Sequence, residues 1–356
     1  MAENTRIEWA DMTFNPWIGC TRISPGCDHC YAEAHASRFG TAEWGPGKPR
    51  HRTRAANWKQ PLKWNAQPFV ECMSCGWRGE ARKARLFENP PGFHPPAPSA
   101  RACPGCGFFT LLATRARVFC ASLADVFDNE APTDWRRDLY ALIERTPNLD
   151  WLLLTKRVGN ARAMLNECAF GRWNEAPLPN MWLGATVVNQ EEADRDIPKL
   201  LAVPAAKRFL SMEPLLGPVD LITDGLMFDA CRWCSDCSPD PDTGAVEHCR
   251  RCEWTGKSDE AGIDWVIVGG ESGPHARPMH PQWARSLRDQ CVAAGVPFFF
   301  KQWGEWAPNC LCNLEMDMAH RETKRPEPGK PGVMFRCGKQ AAGRLLDGRT
   351  WDEVPK

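Results

Sequence analysis

The chain has no excess of charge of either sign: 44 Lys and Arg stand against 44 Asp and Glu, a formal net charge of zero over 356 residues. No overall field therefore draws it to nucleic acid or to an anionic bilayer, and any contact with a polyanion must be local. An uncharged apolar run of the roughly 20 residues that cross a bilayer is also missing, so no membrane association is expected. The opening MAENTRIEWA lacks the basic start and apolar stretch of a secretion signal. A reducing, cytoplasmic setting without disulfides is the resulting expectation. Serine-hydrolase and phosphate-loop chemistry find little support, because neither G-x-S-x-G nor G-x4-G-K-S/T occurs.

Cysteine, by contrast, is plentiful. Its 18 copies fall into three clusters plus singletons at Cys120, Cys168, Cys291, Cys310, Cys312 and Cys337, and clustering in a reducing compartment points to metals. The first cluster, GCTRISPGCDHCYAEA, sets Cys20, Cys27 and Cys30 in a C-x6-C-x2-C array ahead of a helix-like run. Three thiolates are one short of a closed tetrahedral zinc site, whereas an iron–sulfur cube held by three cysteines leaves one iron open to a substrate or cofactor. His29, His35 or a distant cysteine is the alternative, as a fourth ligand that closes a zinc site.

The second cluster has two C-x2-C knuckles, Cys72 with Cys75 and Cys103 with Cys106. A glycine follows each, Gly76 and Gly107, as the tight turn of a zinc knuckle requires. This predicts a zinc ribbon over an insert at 69–113, its proline-rich middle ENPPGFHPPAPSA forming a loop. The third cluster, CRWCSDCSPDPDTGAVEHCRRCEWTG, offers five cysteines for a four-ligand site in an insert at 229–258. Cys249 and Cys252 form one knuckle. The other is Cys234 with Cys237, which leaves the shorter loop to close, or Cys231 with Cys234. Both ribbons are expected to be structural, each holding a segment with too little apolar area to fold alone.

Outside the inserts, short apolar strands alternate with amphipathic helices. RVFCASLADVF, DWLLLTKR, MWLGATVVNQ, KRFLSMEPLL, IDWVIVGGESG and PFFFKQWGEW read as strands. TDWRRDLYALIERT, NARAMLNECAF, EEADRDIPKLLA and HPQWARSLRDQCVAAG read as helices. Continuous apolar strands with helical crossovers imply a parallel sheet buried on both faces. With one strand near the N-terminus this predicts an α/β fold, a partial (β/α)6-type TIM-like barrel in a single domain spanning 1–356. An extension at 307–356 is expected to pack on it and to close as a short hairpin or strand-like end at GRLLDGRTWDEVP.

Each strand ends on polar groups that have no place in an apolar core: Asp125, then Lys156 and Arg157, Asn189, Glu213, Glu271 with Ser272, and Lys301 with Gln302. In a parallel barrel these positions converge on the C-terminal mouth, where active sites are assembled. About half are expected to be structural, Asn189 as a helix cap among them. Glu213 and Glu271 are the least cap-like, since Pro214 and Gly269-Gly270 make turns beside them.

The runs IEWADMTFNPWIGCTRISPGCDHCYAE, FCASLADVFD, LLLTKR, WLGATV, SMEPLLG, WVIVGGESG, FFFKQWGEW and AAGRLLDGRTWDE together resemble a phage- and prophage-associated three-cysteine-motif family of uncharacterised function. That family in turn resembles the radical S-adenosylmethionine superfamily. The resemblance implies a 4Fe-4S cluster on Cys20, Cys27 and Cys30 and reductive cleavage of S-adenosylmethionine to a 5′-deoxyadenosyl radical that acts on an unknown substrate. It implies a reductase or flavodoxin-like electron donor and leaves room for a dedicated partner protein. Ser122 and Asp125 become candidates for contacting S-adenosylmethionine, and Glu213, Glu271, Lys156 and Lys301 candidates for catalysis. The first cysteine gap is x6 here against the superfamily's commoner x3, and His29 stands where that superfamily has an aromatic. Gly269-Gly270-Glu271 follows a late strand rather than the second, so it is not given the superfamily's Gly-Gly-Glu role.

The rival expectation is a zinc-rich, non-catalytic protein that binds nucleic acid or serves as an adaptor. The basic stretch GKPRHRTRAANWKQPLKW at 47–64 would supply its phosphate contacts. Most of the 17 tryptophans lie beside predicted strands and helices and belong to the core on this reading.

Overall fold

Seven parallel strands form the centre of the computed structural model, which describes residues 2–3, 5, 7–86, 101–222, 262–308, 323–324, 326 and 332–355. In chain order they are β1 (Met12–Thr13), β2 (Ala116–Cys120), β3 (Leu149–Thr155), β4 (Met181–Thr186), β5 (Lys207–Met212), β6 (Trp265–Gly269) and β7 (Phe298–Gln302). They are hydrogen-bonded side by side in that same order. An unbroken sequential order belongs to a β/α barrel, because a doubly wound sheet reverses at a switch point.

The sheet is strongly curled. Strands lie about 4.8 Å apart, so four steps across a flat sheet would separate β2 from β6 by about 19 Å. Yet the Trp9 ring lies 4.6 Å from Phe119 on β2 and 6.2 Å from Trp265 on β6, centroid to centroid. The result is a half-barrel with Trp9 set into its hollow.

Strict alternation along the strands sorts their side chains into two cores. Phe119, Leu152, Trp182, Phe209, Trp265, Ile267 and Phe299 fill the hollow around Trp9. Their intervening neighbours, such as Val118, Leu153, Leu183, Leu210, Val268 and Phe300, face outward into a larger cluster. Both sets are apolar, which is why these strands read in the sequence as continuous hydrophobic runs. The outer cluster is roofed by α2 (Thr133–Glu144), α3 (Val158–Cys168), α4 (Gln190–Leu201) and α5 (Pro281–Ala294). The helix α1 (Tyr31–Phe39) precedes them in the excursion between β1 and β2.

Local chemistry sets the helix ends. Asn189 caps α4, its side chain accepting from Glu192 N at 2.9 Å, and Glu192 returns an oxygen to Val188 N at 3.1 Å. Pro281 opens α5 and left-handed Gly295 closes it.

The first insert is a three-stranded antiparallel sheet of Phe69–Cys72, Arg78–Glu80 and Leu111–Thr114. Arg78 ties it to the barrel by donating to Asp11, which also accepts the Arg117 amide. The chain end packs on the barrel as well: Phe300 N donates to Trp351 O, Trp303 Nε1 to Leu345 O and Trp265 Nε1 to Glu353 O, at 2.8–2.9 Å. Among the described residues no helix is long and apolar enough to cross a membrane.

Two features depart from expectation. The run RVFCASLADVF is strand only to Cys120; beyond it Leu123 N donates to Asn15 Oδ1 at 2.8 Å and Asp125 Oδ1 accepts the Phe127 amide at 2.9 Å, as turns replace the ladder. The basic stretch at 47–64 is not uniformly exposed. The Arg50 side chain is fully buried, ion-paired to Asp128 at 2.7 Å and Glu130 at 2.9 Å, so it braces the fold and offers no phosphate contact. Trp64 in the same stretch is buried, while Trp17, Trp151, Trp173, Trp265, Trp303 and Trp306 lie fully in the core.

Candidate functional site at the barrel mouth

The loop bearing the three cysteines lies across the C-terminal ends of the strands. Cys20 follows β1 through the short strand Trp17–Ile18, Cys27 ends a helical turn at Pro25–Cys27, and Cys30 is the residue before α1. Ser24 caps that turn, accepting from Gly26 N at 3.0 Å. Gly26 sits so close to the sheet that a Cβ there would meet Val188 Cγ1 at 2.8 Å and Lys156 Cε at 3.5 Å. Tyr31 anchors the start of α1 by donating to Ser122 O at 2.6 Å.

Three arginines fasten the loop, Arg50 by donating to Thr21 Oγ1 at 2.8 Å. Arg157, just after β3, donates through Nη2 to Thr21 O at 2.7 Å and through Nη1 to Cys20 Sγ at 3.4 Å. Arg277 donates to Pro25 O and to Asp28 Oδ2, both at 2.9 Å, and is gripped from behind by Glu271 at 2.7 and 2.9 Å. Burial pushes the Cys20 thiol up to about 11, with Asp125 adding to the rise and Arg157 opposing it. Burial would also raise the Glu271 carboxyl, but the hydrogen bonds from Arg277 and His29 outweigh it and hold it below the usual carboxylate range.

Of the residues singled out from the sequence, several meet at this mouth. Lys301 Nζ lies 2.8 Å from both carboxylate oxygens of Glu213, and Gln302 Nε2 donates to Glu213 at 3.1 Å and to Ser272 at 3.1 Å. The Glu213 carboxyl group fits because Gly269 has no side chain, since a Cβ there would come within 3.1 Å of it. Lys156 Nζ reaches Thr186 Oγ1 at 3.4 Å. Glu271 accepts from Arg277 and lies 3.1 Å from His29 Nδ1.

Asp125 is buried and spoken for. Oδ1 accepts from Phe127 N and Thr155 Oγ1, and Oδ2 from Lys156 N and Arg157 Nη1. It organises the mouth and has little capacity left for a ligand. Ser122 exchanges its hydroxyl with the Asn15 amide at 2.9 Å. Asn189 is a helix cap. His29 faces Glu271, and His35 is exposed on α1 with its ring against Phe39, 4.7 Å between centroids.

The four cysteines of the first insert form a separate cluster. Cys72, Cys75, Cys103 and Cys106 bring their sulfurs within 4.8 Å of one another and could hold a metal ion. Two of the edges, Cys72 to Cys106 and Cys75 to Cys103, measure 3.6 Å. The knuckles are near copies: Gly76 N donates to Cys72 O and Gly107 N to Cys103 O, each at 2.9 Å, and both glycines have positive φ, 71° and 76°. A Cβ on either would meet nothing within 4 Å, so backbone conformation, not space, asks for glycine. Backbone N–H groups of Cys75 and Ser74 hold the Cys72 thiol down at about 7. Cys20, Cys27 and Cys30 do not share that tight spacing. The candidate ligands Cys234, Cys237, Cys249 and Cys252, with Cys231, lie outside the described residues.

Sequence reading missed Arg277, Asp28 and Tyr31, the residues that fix the loop in place. Only their proximity to cysteines or to Gly270-Glu271 in the chain could have drawn attention to them. A family model described as a protein of unknown function (DUF5131) matches residues 4–355, and the chain belongs to that family. Searches of curated proteins and of solved structures returned no match.

Proposed function

We propose that this family member is a radical S-adenosylmethionine-like iron–sulfur enzyme, with Cys20, Cys27 and Cys30 as ligands of a 4Fe-4S cluster. The observation that carries the reading is the seating of a three-thiol loop over the C-terminal mouth of a half-barrel, pinned from opposite sides by Arg157 and Arg277. The donor set fits the group. A single zinc ion with bonds of about 2.3 Å draws its sulfurs to about 3.8 Å apart, the spacing of the four-cysteine cluster. Cys20, Cys27 and Cys30 do not all lie within 4.8 Å of one another, so they lack that single-ion spacing, and three thiolates are the number that leaves one iron of a cube open.

When bound, the cluster would pass one electron from a reductase or flavodoxin-like donor to the sulfonium of S-adenosylmethionine, splitting its C5′–S bond into methionine and a 5′-deoxyadenosyl radical. The chain's own residues would bind, orient and enclose. Glu213, with Lys301 and Gln302 behind it, presents a fixed carboxylate for an ammonium or ribose hydroxyl. Lys156 supplies positive charge to an anionic substrate, Lys301 holds the Glu213 carboxylate in place, and Glu271 holds the loop through Arg277. Ser122, whose carbonyl accepts from Tyr31 at the start of α1, is proposed to contact the cofactor.

The four-cysteine cluster is proposed to hold a structural zinc, and the third cysteine cluster a second. A nucleic acid, or another phage or host macromolecule, is the substrate class in view. Phe108 and Phe109 favour the former, as exposed rings on the four-cysteine lobe. The same rings would serve the rival function, a zinc-dependent nucleic-acid-binding or adaptor protein without turnover. The protein is proposed to act in the cytoplasm, alone or with a dedicated partner protein.

Anaerobic purification with iron, sulfide and zinc measured per chain tests the reading. About four irons and two zincs in the wild type, with iron alone lost in Cys27→Ala, support it. Zinc without iron after reconstitution overturns it in favour of the binding protein.

A further inference from the structure

Arg157 is the one cation within hydrogen-bonding distance of a loop cysteine among the described contacts, and its setting is unusually well built. Its side chain is 8% exposed, and its fork is spread over Cys20 Sγ, Thr21 O and Asp125 Oδ2. Asp125 cannot swing away, because Phe127 N, Thr155 Oγ1 and Lys156 N hold both of its oxygens at 2.7–3.0 Å. Arg157 in turn cannot leave Cys20 without abandoning the Thr21 carbonyl. A buried positive charge, a buried negative charge and one thiol are thus locked in a row.

We infer that Arg157 and Asp125 are an opposed pair that sets the reduction potential of the metal cluster held by Cys20. The inference rests on the iron–sulfur reading above and adds to it the device by which this chain tunes the cluster. Reduction adds one electron and therefore one negative charge. A guanidinium that donates to the ligating sulfur favours the reduced form and raises the potential, and a carboxylate just behind it favours the oxidised form and lowers it. Burial keeps both influences from being screened away. With the pair intact the two largely offset, so the potential remains low enough to serve a one-electron reduction of a sulfonium while Cys20 keeps its hydrogen bond.

The test is a reductive titration followed by electron paramagnetic resonance on reconstituted wild type, Arg157→Met, Arg157→Lys and Asp125→Asn. Arg157→Met should shift the midpoint to more negative values, lowering the reduced-to-oxidised ratio at a fixed poise by about tenfold, or about 59 mV for one electron. Arg157→Lys should shift it less, since charge remains but the fork is lost. Asp125→Asn should shift it the other way. Opposite signs are the decisive outcome, because a merely structural role would lower iron content in all variants without dividing them by sign. If Arg157→Met fails to hold iron, the lysine and asparagine variants carry the same comparison. Midpoints that do not move, or that move together, with four irons present, overturn the inference and leave the iron–sulfur reading standing. A wild type without iron overturns both.

Discussion

Arg277 and Asp28, 249 positions apart in the chain, meet at 2.9 Å, and that contact closes the three-cysteine loop onto the segment that follows β6. The Arg277 side chain is also held by two bonds to Glu271, so the loop docks on a guanidinium with a fixed orientation. A loop of small and polar residues with few apolar contacts needs such fixed partners to keep its thiols in one arrangement.

Replacing Arg277 by Met should therefore loosen residues 20–30 and leave the sheet intact. Hydrogen bonds to charged groups contribute about 1.5–3 kcal/mol each when buried, and this one is partly exposed. Amide exchange in the loop should quicken roughly tenfold, with strands β3 to β6 unaffected. Iron retention should fall along with loop protection.

Acid should act on the same contact. Glu271 is held below its ordinary value of 4.5, so its contribution is fully present above that pH and is lost as pH falls through the lower, folded value. The thermal midpoint of the wild type, followed from about pH 6 to about pH 3, should drop more steeply than that of Glu271→Gln, whose curve lacks this component. Parallel curves would contradict it.

Cys103→Ala removes one corner of the four-cysteine cluster. The protein should lose one zinc per chain, and trypsin should cut the insert at Arg82 or Lys83. The barrel should keep its far-ultraviolet spectrum, because the insert has its own sheet and touches the barrel through Phe69 and the Arg78–Asp11 pair, neither of them a corner of the cluster. Equal zinc in wild type and variant would dismiss the site.

Arg50→Met separates bracing from binding in the basic stretch at 47–64. Breaking a buried pair leaves Asp128 without its partner and should cost about 3–5 kcal/mol in urea unfolding. Lys59→Ala and Lys63→Ala should leave stability unchanged within about 0.5 kcal/mol. If the stretch holds a nucleic acid, these two and not Arg50 should set the salt dependence.

The strands were legible because both of their faces are apolar, so runs such as DWLLLT announce themselves without alternation. β1 was visible only as a vague early strand: at two residues it has no period to read. The polar residues at strand ends were legible as a set, yet their individual roles were not. Asp125 and Glu271 look alike in the chain as carboxylates after strands, but Asp125 is shared among two backbone amides, the Thr155 hydroxyl and Arg157, whereas Glu271 is given over to Arg277 and His29. Partners of that kind are chosen by folding, and a buried Arg50 reads in sequence as one more exposed cation. Cysteine knuckles were the opposite case, since ligand spacing and the glycine after it are local requirements.

The two flanks of the curled sheet show how this half-barrel lives without closing. Among the described residues the curled sheet has seven parallel strands, and its first and last strands would leave backbone donors and acceptors facing outward. Here Ala2–Glu3 pairs antiparallel beside β1, and Asp352 pairs antiparallel with Phe299 on β7. Each cover is only one or two residues long, too short to template further strands. These short pairings cover the two flanks of the sheet, and without the Trp351–Asp352 segment β7 would present its outer backbone groups bare.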